Sequence, residues 1–237
     1  MFRPVFHLCA ATINAYTILY DQLYIVLPLP AKELEDLPLQ SRSMFLTMWC
    51  LIMQTIFYCI AFMNDIFGSE AKSSKRAPII RKIKDTLFSL AFPVAIYVSL
   101  AFWSIYAVDK QLIFPDHIER LYPKWVNHVM HTTVAIFIII ELLSSYRSYP
   151  SRATGFFIII AFNCSYILWM FVIYMRTGVW VYPIFDHLNW FARAIFITAS
   201  VCVALTFYIL GEKLNSMVCS STSSPQETYA NGKSKSR

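Results

Sequence analysis

Residues 44–63 read MFLTMWCLIMQTIFYCIAFM, and Gln54 is the one strongly polar side chain in this stretch. A helix rises about 1.5 Å per residue, so about 20 apolar residues are needed to cross the hydrocarbon of a bilayer. No segment of the chain alternates polar and apolar residues as a membrane β-strand does. The stretch therefore predicts a transmembrane α-helix and an all-α membrane fold.

Five further apolar segments lie on either side of this one. The chain has 237 residues, of which 57% are hydrophobic and only 14% are charged, whereas soluble domains carry about 25% charged residues. We predict a polytopic bundle of six transmembrane helices, over residues 4–27, 44–63, 86–108, 125–145, 154–175 and 191–210. The bundle is expected to form one domain, residues 1–215, followed by a disordered cytoplasmic tail, residues 216–237.

The basic residues predict the orientation of the bundle. With six spans, 13 of the 20 Lys and Arg residues fall on the side that holds both termini. Positive charge favours the cytoplasmic side, so we predict that both termini are cytoplasmic. The net charge of +6 resides in short loops and forms no basic stripe with interleaved aromatic residues. The expected partner is therefore the lipid bilayer and not a nucleic acid.

Neither a metal nor a cofactor is predicted. The chain has six cysteines but no C-x-x-C pair, and most of its cysteines fall inside apolar segments. Zinc sites and disulfide frameworks have characteristic Cys spacings, which are lacking here. The cysteines are expected to pack as small apolar residues.

Polar residues cluster at the start of the fourth predicted span. Residues 125–133 read WVNHVMHTT, and His131 follows Asn127 by four positions and His128 by three, so the three share one helix face. Polar groups inside a membrane are costly and often functional, and histidine can act as a general base near neutral pH. A histidine there can also simply hydrogen-bond across the bundle.

Topology relates this cluster to the second predicted span. Both spans begin on the same side of the membrane, and Thr47 and His131 lie about 5 Å and 9 Å below their helix starts at 1.5 Å per residue. Adjacent helices would bring the two side chains together, and a hydroxyl beside a histidine can serve as a nucleophile. Alternatively, Thr47 bonds back to a carbonyl one turn earlier, as membrane threonines often do.

Several motifs resemble those of the androgen-induced-gene-one family. They run in order across about residues 45–215 and comprise WVNHVMHTT at 125–133, AFPV at 91–94, IFP at 113–115, SYPS at 148–151, TGVWVYP at 177–183 and LGEKLN at 210–215. The segment 28–43 and the tail after Asn215 have no such match. The resemblance implies multi-pass threonine hydrolases that cleave fatty acid esters of hydroxy fatty acids, with a membrane lipid as substrate.

The resemblance also implies the catalytic residues. The family nucleophile is the threonine of a Phe-Leu-Thr-like segment, here Thr47, and its histidine is the second in Asn-His-x-Met-His, here His131. Asn127 and His128 are expected in supporting roles. A substrate with one free carboxylate also needs a cation near the interface, and three residues lie near the corresponding helix ends: Arg42, Lys124 and Arg193.

The host membrane is predicted to be the plasma membrane or the endoplasmic reticulum. The chain ends in Lys233-Ser-Lys-Ser-Arg237, and lysines at these positions resemble a dilysine retrieval signal for the endoplasmic reticulum. The family resemblance also permits the plasma membrane.

Two other functions remain open at the level of sequence. His128 and His131, with His7 or His187, would give a His-ligated metal or haem protein. The chain would otherwise be a non-enzymatic membrane protein, either a transporter or a regulatory or interaction protein. The sequence shows no inverted repeat and no pair of broken helices, which many transporters have.

Overall fold

The computed structural model describes residues 2–29, 31–68, 78–145 and 147–221, except for the side chains of the last three. Within these residues the chain is helical and has no strand. The helices are α1 (Phe2–Tyr24), α2 (Leu46–Phe67), α3 (Ile79–Asp109), α4 (Asp116–Glu119), α5 (Lys124–His128), α6 (Val134–Ser144), α7 (Arg152–Thr177) and α8 (Trp190–Ser221). A π-helical turn, Val129–Thr133, joins α5 to α6 in one continuous rod.

Five helical stretches in the described part of the chain are long and apolar enough to cross a membrane. They are Leu46–Phe67, Ile79–Leu112, Lys124–Ser144, Arg152–Thr177 and Trp190–Val218. They correspond in order to the predicted spans 44–63, 86–108, 125–145, 154–175 and 191–210. No predicted span extends more than two residues beyond its helix. The sixth span, over α1, and the cytoplasmic position of the termini stay predictions.

Helix α1 has its polar residues on the inside. His7, Asn14, Thr17 and Asp21 are fully buried, and their spacings of seven, three and four residues place them on one helix face. The opposite face carries exposed apolar side chains such as Leu19. A helix on the surface of a soluble protein has the opposite arrangement. The polar residues of α1 lower its mean hydropathy, although the face that they form points into the bundle.

Helices α3 and α8 extend beyond the segments predicted from hydropathy. Helix α3 begins at Ile79 instead of residue 86, and α8 continues past residue 215 to Ser221. The added turns contain residues such as Lys84, Glu212 and Lys213, which lower hydropathy but are good helix formers. Residues 222–237, most of the predicted tail, lie outside the described residues.

Helix α2 lies between α1 and α3, and α3 in turn packs against α6 and α8. The core where these helices meet includes the fully buried Phe57, Tyr58, Phe88 and Ile138. Three connections lie at the end of the bundle where α2 begins: residues 25–45, 110–123 and 178–189. Each contains a short helical turn, and together they cover that end.

Candidate active site

Thr47 lies in the first turn of α2, within reach of the histidine in the π-helical turn. Its Oγ1 is 3.3 Å from Nε2 of His131. The start of α2 is held from two sides, because the indole nitrogens of Trp49 and Trp169 donate to the Ser43 carbonyl at 2.7 Å and 2.9 Å. The predicted pair is therefore brought together on two helices that start from the same end of the bundle.

The other ring nitrogen of His131 is bonded to Asn127. Nδ1 lies 3.0 Å from the Asn127 backbone oxygen and 2.8 Å from its Oδ1. A carbonyl oxygen can only accept, so Nδ1 carries the proton and Nε2 has a free lone pair toward Thr47. This is the tautomer that a general base needs, and the contacts with Asn127 fix the orientation of the ring.

Two aromatic residues of α3 hold the histidine in place. The Phe102 ring stacks on the His131 ring, with centroids 3.6 Å apart and planes 13° apart. The Trp103 indole N–H donates to the His131 carbonyl at 3.2 Å and to Thr132 Oγ1 at 3.1 Å. π-Helical turns often mark functional sites because they displace side chains and free carbonyls from the regular ladder.

His128 does not join the pair. Its side chain is exposed, its ring stacks on Trp103 at 5.5 Å, and its Nδ1 lies 3.2 Å from Thr132 Oγ1. It does not border the cavity described next. Its contacts steady the π-helical turn from outside.

Thr47 and His131 border a cavity of about 550 Å³. Its wall is mainly apolar, and the three covering connections contribute residues such as Leu34, Phe114 and Trp180. A cavity of this kind fits a ligand that is mostly hydrocarbon and carries a few polar groups. The aromatic connection 178–189 borders it through residues 179–186.

Two tyrosines bring further polar groups to the same cavity. The hydroxyls of Tyr166 on α7 and Tyr182 in the 178–189 connection lie 3.1 Å and 3.0 Å from the backbone nitrogen of Leu46, next to Thr47. Sequence reasoning missed both residues. The one available signal was that Tyr182 belongs to the TGVWVYP motif at 177–183.

Comparison with protein families identifies the chain. A family model described as "FAR-17a/AIG1-like protein" matches residues 2–216. The chain belongs to the FAR-17a/AIG1-like family. No solved structure matches this family member.

Curated relatives cover most of the FAR-17a/AIG1-like chain. It is 37% identical to the androgen-induced gene 1 protein of Homo sapiens over 190 residues, which are 77% of this chain and 80% of the relative. It is 34% identical to the androgen-dependent TFPI-regulating protein of Mus musculus, over 78% of this chain and 81% of the relative. With five apolar helices among its described residues, this family member is a multi-pass membrane protein.

Of the three cations predicted as carboxylate anchors, one borders the cavity. Arg42 is buried, and its Nε donates to Asp21 Oδ2 at 2.9 Å. Lys124 is exposed at the start of α5. Arg193 lies over the rings of Trp180 and Trp190, at 4.8 Å and 4.7 Å from their centroids, and donates to a backbone carbonyl. The structure thus separates Lys124 and Arg193 from the cavity.

The segment that carries Arg42 has an unusual backbone. Leu39, Gln40 and Ser41 have φ angles of 55°, 48° and 75°, a left-handed conformation that residues other than glycine seldom adopt. Arg42 holds this turn closed, since its Nη1 donates to the Gln40 carbonyl at 2.8 Å and its Nη2 donates to the Ile25 carbonyl. Such strain persists only where surrounding contacts impose it, and it is found preferentially at functional sites.

A second buried polar cluster lies toward the other end of the bundle. His7 is fully buried, with Nδ1 2.6 Å from Asp65 and Nε2 2.7 Å from Glu141. Glu141 also pairs with buried Arg147 at 3.1 Å. These contacts tie α1 to α2 and α6. Among the described residues, no group of three or more His, Cys, Asp or Glu side chains has the arrangement of a metal site.

Proposed function

We propose that this chain is an intramembrane hydrolase that cleaves the ester bond of fatty acid esters of hydroxy fatty acids. Thr47 is the nucleophile and His131 is the general base. The observation that carries the proposal is the line of contacts from Thr47 Oγ1 through the His131 ring to Asn127. The motifs shared with the androgen-induced-gene-one family point to the same two residues.

The geometry supports a two-step acyl transfer. In the first step Thr47 Oγ1 bonds to the ester carbonyl carbon and His131 Nε2 takes the hydroxyl proton. The tetrahedral intermediate collapses by breaking the bond to the alkoxide of the hydroxy fatty acid, which receives the proton from His131. In the second step His131 takes a proton from water, whose oxygen bonds to the acyl carbon of the acyl–Thr47 ester. The bond from this carbon to Thr47 Oγ1 then breaks, Oγ1 receives the proton from His131, and the fatty acid is released.

The distance between the two groups suits an enzyme without substrate. A hydrogen bond to a ring nitrogen is usually shorter than the 3.3 Å between Thr47 and His131. Catalytic hydrogen bonds are often long before substrate binds and tighten in the complex. The two side chains are therefore close enough for proton transfer after a small adjustment.

The surroundings of the pair match a lipid substrate. An ester with two acyl chains partitions into the bilayer, and the mainly apolar wall of the cavity suits its hydrocarbon chains. Arg42 borders this cavity and is our candidate for the anchor of the free carboxylate. Four of its five N–H groups donate to Asp21, Gln40 and Ile25. The Tyr122 hydroxyl, which borders the same cavity, also interacts with Arg42 and Asp21, so a bound carboxylate would share the guanidinium with these groups.

The decisive experiment compares two threonines of α2. Thr55 is a matched control, because its hydroxyl bonds back to the Leu51 carbonyl at 2.8 Å and it does not border the cavity. We expect Thr47→Ala to abolish hydrolysis of a branched fatty acid ester and covalent labelling by a fluorophosphonate probe. Thr55→Ala should retain both. Near wild-type turnover by a folded Thr47→Ala protein would exclude this nucleophile and the proposed mechanism.

A further inference from the structure

The hydroxyls of Tyr166 and Tyr182 meet at the first turn of α2. Besides its contact with Leu46, the Tyr166 oxygen lies 3.0 Å from the Met44 carbonyl oxygen and 3.0 Å from the Tyr182 oxygen. The geometry makes Tyr166 the donor in both contacts, and its single proton serves one of them at a time. Its neighbour Tyr182 is thus an acceptor in this group.

Tyr182 accepts hydrogen bonds without donating one. Its oxygen accepts from the Leu46 N–H at 3.0 Å and from Tyr166 at 3.0 Å. Among the described residues, the Tyr182 hydroxyl donates no hydrogen bond of its own, and the residue borders the cavity with Thr47 and His131. A half-buried hydroxyl with an unused proton is a donor available to a ligand in that cavity.

The backbone beside Thr47 has a second available donor. The first N–H groups of a helix have no partner inside the helix. The N–H of Leu46 is bonded to the tyrosines and that of Met48 to the Phe45 carbonyl at 3.1 Å. Between them, the Thr47 N–H makes no hydrogen bond within the part of the chain that the structure describes. Two donors without an acceptor, the Tyr182 hydroxyl and the Thr47 N–H, therefore belong to residues that border the same cavity.

We propose that the Tyr182 hydroxyl and the Thr47 N–H form the oxyanion site of the enzyme. The inference rests on the proposed hydrolase function and adds to it the donors that stabilise the transition state. When Thr47 Oγ1 bonds to the carbonyl carbon, the π pair of the carbonyl moves to its oxygen. Tyr182 keeps its proton and donates a hydrogen bond that is stronger to this alkoxide than to the ester carbonyl.

The environment of Tyr182 suits a neutral donor. Burial raises the pKa of Tyr182 to about 12, so the hydroxyl stays protonated at the pH where His131 works as a base. Each hydrogen bond that its oxygen accepts, from the Leu46 N–H or from Tyr166, polarises the O–H bond and strengthens its donation. An ionised tyrosine would instead repel the alkoxide.

The test is Tyr182→Phe, with Tyr174→Phe as the matched control. Tyr174 stacks on Trp180 at 4.1 Å and does not border the cavity. Loss of one oxyanion donor lowers kcat by roughly 100- to 1,000-fold. We expect this loss for Tyr182→Phe with KM changed less than about threefold, because the interaction forms only in the transition state. Tyr174→Phe should keep wild-type kcat.

A purely structural role for Tyr182 makes a different prediction. It predicts that Tyr182→Phe unfolds at a lower temperature than Tyr174→Phe. We expect equal unfolding temperatures, because the Leu46 N–H keeps Tyr166 as an acceptor in Tyr182→Phe and the start of α2 stays capped. A fatty acyl trifluoromethyl ketone is an inhibitor that tests the same interaction. The Thr47 hydroxyl adds to its carbonyl carbon, and the product is a tetrahedral alkoxide that resembles the transition state. The inhibition constant of the ketone should rise by the same factor by which kcat/KM falls, and this parallel separates catalysis from misfolding.

Three outcomes decide between the proposals. A Tyr182→Phe enzyme with kcat within about threefold of wild type would overturn the oxyanion role, and an inactive Thr47→Ala protein would then leave the hydrolase proposal intact. A loss of kcat without weaker ketone binding would also overturn it. An active Thr47→Ala protein would overturn the hydrolase proposal itself.

Discussion

Thr47 and His131 are 84 positions apart in the chain, and Oγ1 of one lies 3.3 Å from Nε2 of the other. The contact joins α2 to the π-helical turn between α5 and α6. Because Nδ1 of His131 is bonded to Asn127, the nitrogen facing Thr47 is the basic one. The chemistry of the site thus depends on the tautomer of one ring, and several predictions about neighbouring residues depend on the same ring.

His131 and His128 should differ sharply when each is replaced by alanine. We expect His131→Ala to lower kcat by roughly 100- to 10,000-fold, the usual contribution of a general base. His128→Ala should stay within about threefold of wild type, because its ring contacts Trp103 and Thr132 outside the cavity. Ester hydrolysis by the two purified variants provides the measurement. Equal losses would contradict the assignment of the base.

Asn127→Ala should have an intermediate effect. Removal of the amide leaves the Asn127 backbone carbonyl, 3.0 Å from Nδ1, as an acceptor for the same proton. The tautomer is therefore kept while the ring is held less firmly. At metal sites, loss of a partner that orients a histidine typically costs about 10- to 100-fold in activity, and we take this as the scale here. We expect the lower end, about tenfold in kcat with KM unchanged, from steady-state kinetics. A loss as large as that of His131→Ala would show that the side chain alone fixes the ring.

The Arg42 anchor predicts discrimination between an acid substrate and its methyl ester. A hydrogen bond to a charged group contributes about 1.5–3 kcal/mol, so methylation of the free carboxylate should raise KM roughly 10- to 100-fold in the wild type. Replacement of Arg42 alone would leave Asp21 buried without its partner. The double variant D21N/R42Q avoids this and should lose the discrimination.

The control for this prediction is Arg193→Gln. Its guanidinium lies against Trp180 and Trp190 and does not border the cavity. The variant should discriminate between acid and methyl ester as the wild type does. If Arg193→Gln loses the preference and D21N/R42Q keeps it, Arg193 is the anchor and Arg42 only closes the strained turn.

Glu141→Ala should destabilise the bundle without acting on the chemistry. The carboxylate bonds buried His7 and buried Arg147, and breaking such a pair costs about 3–5 kcal/mol. Arg152→Ala is the control, since its pair with Glu212 is exposed and worth about 0–1 kcal/mol. Unfolding in detergent micelles should show the difference. Equal stabilities would contradict a structural role for the His7 cluster.

Helical periodicity explains how much of the site could be predicted from the sequence. The face shared by Asn127 and His131 follows from a four-residue spacing, and the similar depth of Thr47 and His131 follows from the rise of two helices that begin at the same end. Tyr166 and Tyr182 have no such relation to Leu46. Their position depends on how α7 and the connection after it fold over α2, which no local pattern encodes.

The polar residues of α1 show a signal that hydropathy alone misses. In the sequence they interrupt the apolar segment over α1. A hydropathy averaged over a window does not record the direction in which each side chain points around the helix. In the structure they form one buried face, from which His7 pairs with Asp65 and Glu141 and Asp21 pairs with Arg42. Their spacing was visible in the sequence, but their partners were not.

The buried face of α1 has a consequence for biogenesis. During synthesis α1 emerges before the groups that pair with His7 and Asp21, because these groups are Arg42 and residues on α2 and α6. An unpaired aspartate or histidine in hydrocarbon is costly, so α1 gains little by entering lipid on its own. We infer that α1 settles into the bundle only after α6 has been inserted, so that it reaches its final position later than helices that follow it in the chain.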